Sequence, residues 1–218
     1  MIYVFDLDYT LLDTKRFKED LSSVFGMSVE EFSESYFENF KSKGLNYNLN
    51  KHLAILEKDG FIASKEQAEE IKKRFKEFMK NIDEYLFPEA EKIIKSLKER
   101  GNELALATFG DTEWQRLKIN SLKLKKYFDK VIYEDKSKKE NKELKALGNL
   151  GEKIIIINDN ARELNELKEV FGDRCETKLI HERYSGNAKY EGKIYNDLSD
   201  AFKEMEQNEI SGELRGAR

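Results

Sequence analysis

Two rhythms of apolar and polar residues divide this chain. Ile2-Tyr3-Val4-Phe5 is almost continuously apolar, as a strand buried on both faces should be, and it ends abruptly at Asp6-Leu7-Asp8. From Arg16 to Tyr85 the rhythm becomes helical. Leu21, Val24 and Phe25 mark one helix, and Phe32, Tyr36, Phe37 and Phe40 a second. Leu53, Ile55 and Leu56 mark a third that stops at Asp59-Gly60, and Ile71, Phe75, Phe78 and Met79 a fourth.

After Phe87 the two rhythms alternate. Pro88, the only proline, is expected in the first turn of a helix through Ile93, Ile94 and Leu97, which Gly101 closes. Further strands are expected at Glu103–Ala107, Val131–Tyr133, Ile154–Ile157 and Lys178–His181. Between them, helices are expected from Thr112 to Ile119, from the capping-box pattern Ser137-Lys138-Lys139-Glu140, and through Leu164 and Leu167. Ser211–Arg218 reads as a ragged end. Strands alternating with helices predict an α/β fold, a Rossmann-like parallel sheet covered on both faces. Residues 1–15 and 86–218 would form that core, and residues 16–85 a helical insert.

In such sheets ligands sit beyond the carboxyl ends of the strands. The polar clusters fall at those ends: Asp6 and Asp8 after the first strand, then Thr108, Lys136 and Asp159. Carboxylates two residues apart can point to one side as the chain leaves a strand. Their repulsion is relieved by a shared proton or cation. The pair suits chemistry in which one aspartate attacks phosphorus and its neighbour handles the leaving group's proton.

Composition narrows the partners. Charged residues make up 38% of the 218 and apolar residues 39%, so the surface is highly charged while the apolar runs still supply a core. The net charge of −4 points to neither nucleic acid nor an anionic membrane. A single cysteine, Cys175, excludes an intrachain disulfide, argues against a zinc cluster and is expected to pack as a small apolar side chain. His52 and His181 are distant in sequence and are read as structural or surface residues, and Trp114 as packing. No long apolar segment or leader-like N-terminus is present, so a soluble, cytoplasmic protein is expected.

The string Val4-Phe5-Asp6-Leu7-Asp8-Tyr9-Thr10-Leu11-Leu12-Asp13 closely resembles motif I of the haloacid-dehalogenase superfamily. Phe87-Pro88-Glu89 through Gly101, with Leu104 to Thr108, resembles the approach to motif II. Leu122 through Tyr127-Phe128-Asp129 resembles the segment before motif III, and Ile154–Ile157 with Asn158-Asp159 resembles motif IV. The resemblance covers most of the chain, and the helical insert falls where one class of cap domains sits in that family. It implies a Mg²⁺-dependent phosphohydrolase acting on a small phosphorylated metabolite. In it Asp6 would be the nucleophile, forming an aspartyl-phosphate, and Asp8 the acid and base. Thr108 and the backbone N–H groups after it, at Phe109, would bind phosphoryl oxygens. Asp6, Asp159 and the Asp8 backbone carbonyl would hold the metal.

Some positions depart from the family pattern. Tyr9 stands where glycine is common and is expected to narrow the entrance. Motif IV has Asn158 in place of a frequent acid or glycine, and Glu163 is expected to support Asp159. The motif III lysine has no proline after it, which leaves Lys136, Lys138 and Lys139. Lys136 is preferred because it precedes a helix N-terminus, where phosphate is favoured. A phosphomutase, a haloacid dehalogenase and a non-catalytic binding protein share the fold. A halide leaving group needs no proton, so Asp8 favours phosphate chemistry.

Overall fold

The computed structural model describes residues 1–135, 140–148, 151–180 and 188–203. Its centre is a six-stranded, all-parallel sheet in the order β3-β2-β1-β4-β5-β6. The strands are β1 (Ile2–Phe5), β2 (Glu103–Phe109), β3 (Lys130–Glu134), β4 (Ile154–Asn158), β5 (Cys175–Ile180) and β6 (Ile194–Tyr195). β1 is central because every residue in it is buried, and it pairs with β2 on one side and β4 on the other.

The period of two along a strand sorts the core into two layers. Tyr3, Phe5, Leu104, Leu106, Ile155 and Ile157 face one side and join the larger apolar cluster. There α5 (Ala90–Glu99) contributes Ile93, Ile94 and Leu97, and α6 (Thr112–Ser121) contributes Trp114 and Ile119. Ile2, Val4, Ala105, Ala107, Ile154 and Ile156 face the other side. They pack on Leu144 and Leu147 of α7 (Lys142–Leu147) and on Leu164, Leu167 and Phe171 of α8 (Ala161–Phe171). The α/β, Rossmann-like arrangement expected from the alternating rhythms is the arrangement found.

Between β1 and α5 the chain forms α1 (Thr14–Phe25), α2 (Val29–Asn39), α3 (Leu49–Lys58) and α4 (Lys65–Lys80). Each has a polar residue at its start that accepts from a backbone N–H of the first turn: Asp13, Ser28, Asn48 and Ser64. Their apolar stripes, including Phe17, Leu21, Phe32, Leu53, Ile71 and Phe75, merge with the larger cluster. The outgoing and returning chain passages run side by side. Asp13 N donates to Tyr85 O at 2.7 Å and Phe87 N to Leu11 O at 2.9 Å.

Local details differ from the sequence reading. Pro88 lies in a turn before α5, and Glu89 adopts φ +69 between them. β5 begins at Cys175, three residues before the expected strand, because Cys175 is itself buried beside Ile154. β6 is a two-residue strand with no apolar run to announce it. Asn141 caps α7, accepting from Glu143 N and Leu144 N. Lys136, Ser137, Lys138, Lys139, His181 and Ser211–Arg218 lie outside the described residues.

Candidate active site

The sheet order reverses around β1, and the crevice at such a switch point lies beyond the strand carboxyl ends. Asp6 follows β1 directly, and its N–H donates to Ile157 O of β4 at 3.0 Å. Thr108 is the penultimate residue of β2, and Asp159 is the first residue after β4. Asp6, Thr108 and Asp159 are all buried. The structure therefore brings these three sequence-nominated residues to one edge of adjacent strands.

The Thr108 hydroxyl has no hydrogen-bond partner among the described residues. A buried hydroxyl left unpaired costs about 1–3 kcal/mol, so a ligand oxygen there would be welcome. Phe109 closes β2, and its carbonyl accepts from Gln115 Nε2 at 2.8 Å.

Asp8 is held by three side chains. Lys118 Nζ lies 2.6 and 2.7 Å from its two oxygens, Gln115 Nε2 donates to it at 2.9 Å, and the Thr14 hydroxyl donates at 2.8 Å. Burial would push this carboxyl up. The Lys118 charge and the hydrogen bonds from Lys118, Gln115 and Thr14 outweigh it and hold the group at about 2. Burial pulls the Lys118 ammonium below its usual range, and Lys18 adds to that, while Asp8 and Asp6 oppose it. Lys118 is 2% exposed, so Asp8 is what makes its charge tolerable there.

Lys118 and Gln115 have no place in the sequence reading. The signal was a pair three residues apart on the helix following Thr108, a spacing that puts both on one face. The Lys136 expectation falls outside the described residues.

Asn158 and Glu163 form a brace behind Asp159. Asn158 Nδ2 donates to Glu163 Oε2 at 2.9 Å, and Asn158 Oδ1 accepts from Asn160 N at 3.0 Å. An aspartate could accept from Asn160 but could not donate to Glu163. Asn158→Asp should therefore face two carboxylates across a hydrogen-bond distance and lose about 1–3 kcal/mol, read as a lower Tm by calorimetry. An unchanged Tm would show that the amide does not hold this loop.

Tyr9 has φ +61, a conformation glycine adopts freely and other residues adopt at a cost. The turn enforces it. Tyr9 N donates to Leu12 O at 2.9 Å and to Thr14 Oγ1 at 3.1 Å, while Leu7 O accepts from Leu11 and Leu12. Tyr9→Gly should raise unfolding stability by up to about 1 kcal/mol by removing that strain. Lower stability would mean that the Tyr9 ring contributes more than its backbone costs.

Beside Asp8 opens a cleft of about 220 Å³ between the sheet edge and helices α1 and α2. Asp8, Tyr9, Lys18, Tyr36, Tyr47 and Trp114 are among its walls. Asn48 joins the two sides: its Nδ2 donates to Asp111 Oδ1 and to Glu113 Oε2, both at 2.9 Å.

His52 and Cys175, read from the sequence as structural and packing residues, are both buried. His52 is fully buried, with Ser35 Oγ at 2.9 Å from Nε2 and Tyr47 OH at 3.1 Å from Nδ1. Burial pushes its imidazole down to about 4, which leaves it neutral near pH 7. Burial pushes the Cys175 thiol up to about 11, so it holds no thiolate there.

No cluster of three or more His, Cys, Asp or Glu side chains suited to a metal is present among the described residues. The set implied for magnesium is smaller: two carboxylates, Asp6 and Asp159, and a backbone carbonyl. Two buried carboxylates at neighbouring strand ends are hard oxygen donors of the kind magnesium takes, with water completing its shell. No helix among the described residues is long and apolar enough to cross a membrane.

Residues 3–170 match the family model described as haloacid dehalogenase-like hydrolase. Comparison with curated proteins gave no match. Among solved structures, a protein of Burkholderia xenovorans LB400, provisionally described as a haloacid dehalogenase-like hydrolase, aligns with TM-score 0.68 and 18% identity over 93% of this chain and 94% of that one. A Thermotoga maritima protein, provisionally described as a β-phosphoglucomutase, aligns with TM-score 0.51 and 22% identity over 82% and 84%. YfnB of Bacillus subtilis, provisionally described as a hydrolase of the same family and solved with magnesium bound, aligns with TM-score 0.56 and 15% identity over 93% and 96%.

Proposed function

Since the chain belongs to the haloacid dehalogenase-like hydrolase family, we propose that it is a phosphohydrolase that cleaves small phosphate monoesters through an aspartyl-phosphate on Asp6. The observation that carries this reading is Asp8, two residues beyond Asp6 and bonded to Lys118, Gln115 and Thr14. A halide leaves without a proton, whereas an alkoxide needs one, and this chain has built a proton-handling pair beside the nucleophile.

Asp6 attacks phosphorus, and Thr108 donates its hydroxyl to a phosphoryl oxygen. Asp6, Asp159 and the Asp8 carbonyl are the residues that would hold magnesium, which when bound offsets the repulsion between Asp6 and the anionic phosphoryl group. Lys118, Gln115 and Thr14 favour the ionised form of Asp8 in the free site, so the proton it handles is shared with Lys118, its partner at 2.6 Å. Asp8 passes a proton to the leaving oxygen as the Lys118 ammonium supplies it. In the second half Asp8 takes a proton from the attacking water and returns it to Lys118. The pair ends as it began, and the products are an alcohol and inorganic phosphate.

Helices α1–α4 act as a cap over the site and restrict bulk water, with the Asn48 contacts holding them to α6. The test is release of inorganic phosphate from a generic aryl phosphate. Release with Mg²⁺ and none in excess chelator supports the reading. Transfer of the phosphoryl group to a second hydroxyl with no free phosphate would make the protein a mutase instead.

A further inference from the structure

We propose that the monoester cleaved here carries a single planar ring as its leaving group, received in the cleft between Tyr36, Tyr47 and Trp114. This rests on the phosphohydrolase reading and narrows its substrate class. The cleft opens directly beside Asp8, where the leaving oxygen must sit to receive its proton.

Its walls are aromatic. Tyr47 and Trp114 meet edge to face with centroids 4.9 Å apart, and Tyr36 lies 5.6 Å from Tyr47. Tyr47 and Trp114 are buried and back the cleft from the core, so the partly exposed Tyr36 is the ring that an incoming ring meets, edge to face or offset as aromatic pairs prefer. Lys18 Nζ stands 4.5 Å from the Tyr36 centroid and 5.8 Å from that of Tyr9, so a cation shares these faces.

The size fits one ring. An apolar cavity of roughly 150 Å³ takes up benzene. At about 220 Å³ this cleft has room for a ring with small substituents.

The polar walls argue against a polyol. A site built for several hydroxyls offers each one a hydrogen-bond partner. Here most of the polar groups already serve the protein, and the buried Gln115 Oε1, which has no partner among the described residues, offers an acceptor for a single hydroxyl. Gln115 Nε2 is shared between Asp8 and Phe109 O, and Asn46 Nδ2 donates to Asp135 O at 3.2 Å. Asp111 caps α6 and accepts from Asn48. A sugar or glycerol chain would lose water here and regain few partners.

The experiment compares benzyl phosphate, glycerol 1-phosphate and glucose 6-phosphate as substrates of the intact protein with Mg²⁺. A second readout is independent of turnover: Trp114 is the only tryptophan, so its fluorescence reports directly on the cleft. The expected kcat/KM for benzyl phosphate exceeds that of either polyol ester by at least about ten-fold. Benzyl alcohol alone should shift Trp114 emission, and glycerol should not. Tyr36→Leu should raise KM for benzyl phosphate about ten-fold, and Tyr36→Phe, which keeps the ring, should raise it less. Faster cleavage of glycerol or glucose phosphate, with no emission change on adding benzyl alcohol, overturns the ring assignment and leaves the phosphohydrolase reading standing. No cleavage of any of the three overturns both.

Discussion

Asp6→Asn should fold normally and lose turnover entirely, to the background of an inactive control. The substitution keeps the volume of a side chain that is 8% exposed and removes only its charge and nucleophilic oxygen. Neighbouring backbone is unaffected, because Asp6 is held in place through its N–H to Ile157 O. Circular dichroism and thermal unfolding check the fold, and phosphate release checks the activity. Phosphatase activity above background in the folded variant would remove Asp6 from its role.

Lys118→Met should be the most damaging change outside the nucleophile. Methionine fills similar space but leaves the Asp8 carboxylate facing Gln115 and Thr14 alone. Removing one partner of a buried ion pair costs about 3–5 kcal/mol. Turnover should fall at least about a hundred-fold, since both proton steps pass through the pair.

The pH dependence gives a separate reading. Asp8 sits at about 2 in the fold against 3.8 for an ordinary carboxyl. A depressed acid stabilises the fold above its unfolded value, and the stabilisation is lost as pH falls from near 3.8 towards 2. At 1.36 kcal/mol per unit the contribution is about 2 kcal/mol at neutral pH. Wild type should therefore lose stability over that acid range more steeply than Lys118→Met, by urea unfolding. Parallel profiles for the two proteins would mean that Lys118 does not hold Asp8 ionised.

The middle of the sheet was legible because β1, β2 and β4 are buried on both faces and so are nearly unbroken apolar runs. The four helices between β1 and α5 were legible because each keeps an apolar stripe at helical spacing. β6 escaped notice because Ile194–Tyr195 is too short to have a period and exists only by pairing with β5. The start of α5 was misplaced by two residues, since Pro88 lies in the turn before the helix and Glu89, at φ +69, separates it from Ala90.

Of the site, the residues at strand ends could be read because topology alone delivers them to one edge. Lys118 could not. It is one of 39 basic residues, and on sequence it looks like the solvated face of a charged helix. Only its buried contact with Asp8, 110 positions away, sets it apart. Asn158 was read as a missing acid, whereas its amide donates to Glu163, a bond an ionised acid could not make.

The decisive measurement is the covalent state of Asp6 during turnover. Wild-type protein mixed with excess aryl phosphate and Mg²⁺, quenched in acid and digested, should yield the peptide containing Asp6 with one added phosphoryl group, and the same peptide from Asp6→Asn should carry none. Steady phosphate release with that peptide always unmodified, or with the phosphoryl group on another residue, would contradict a mechanism through Asp6.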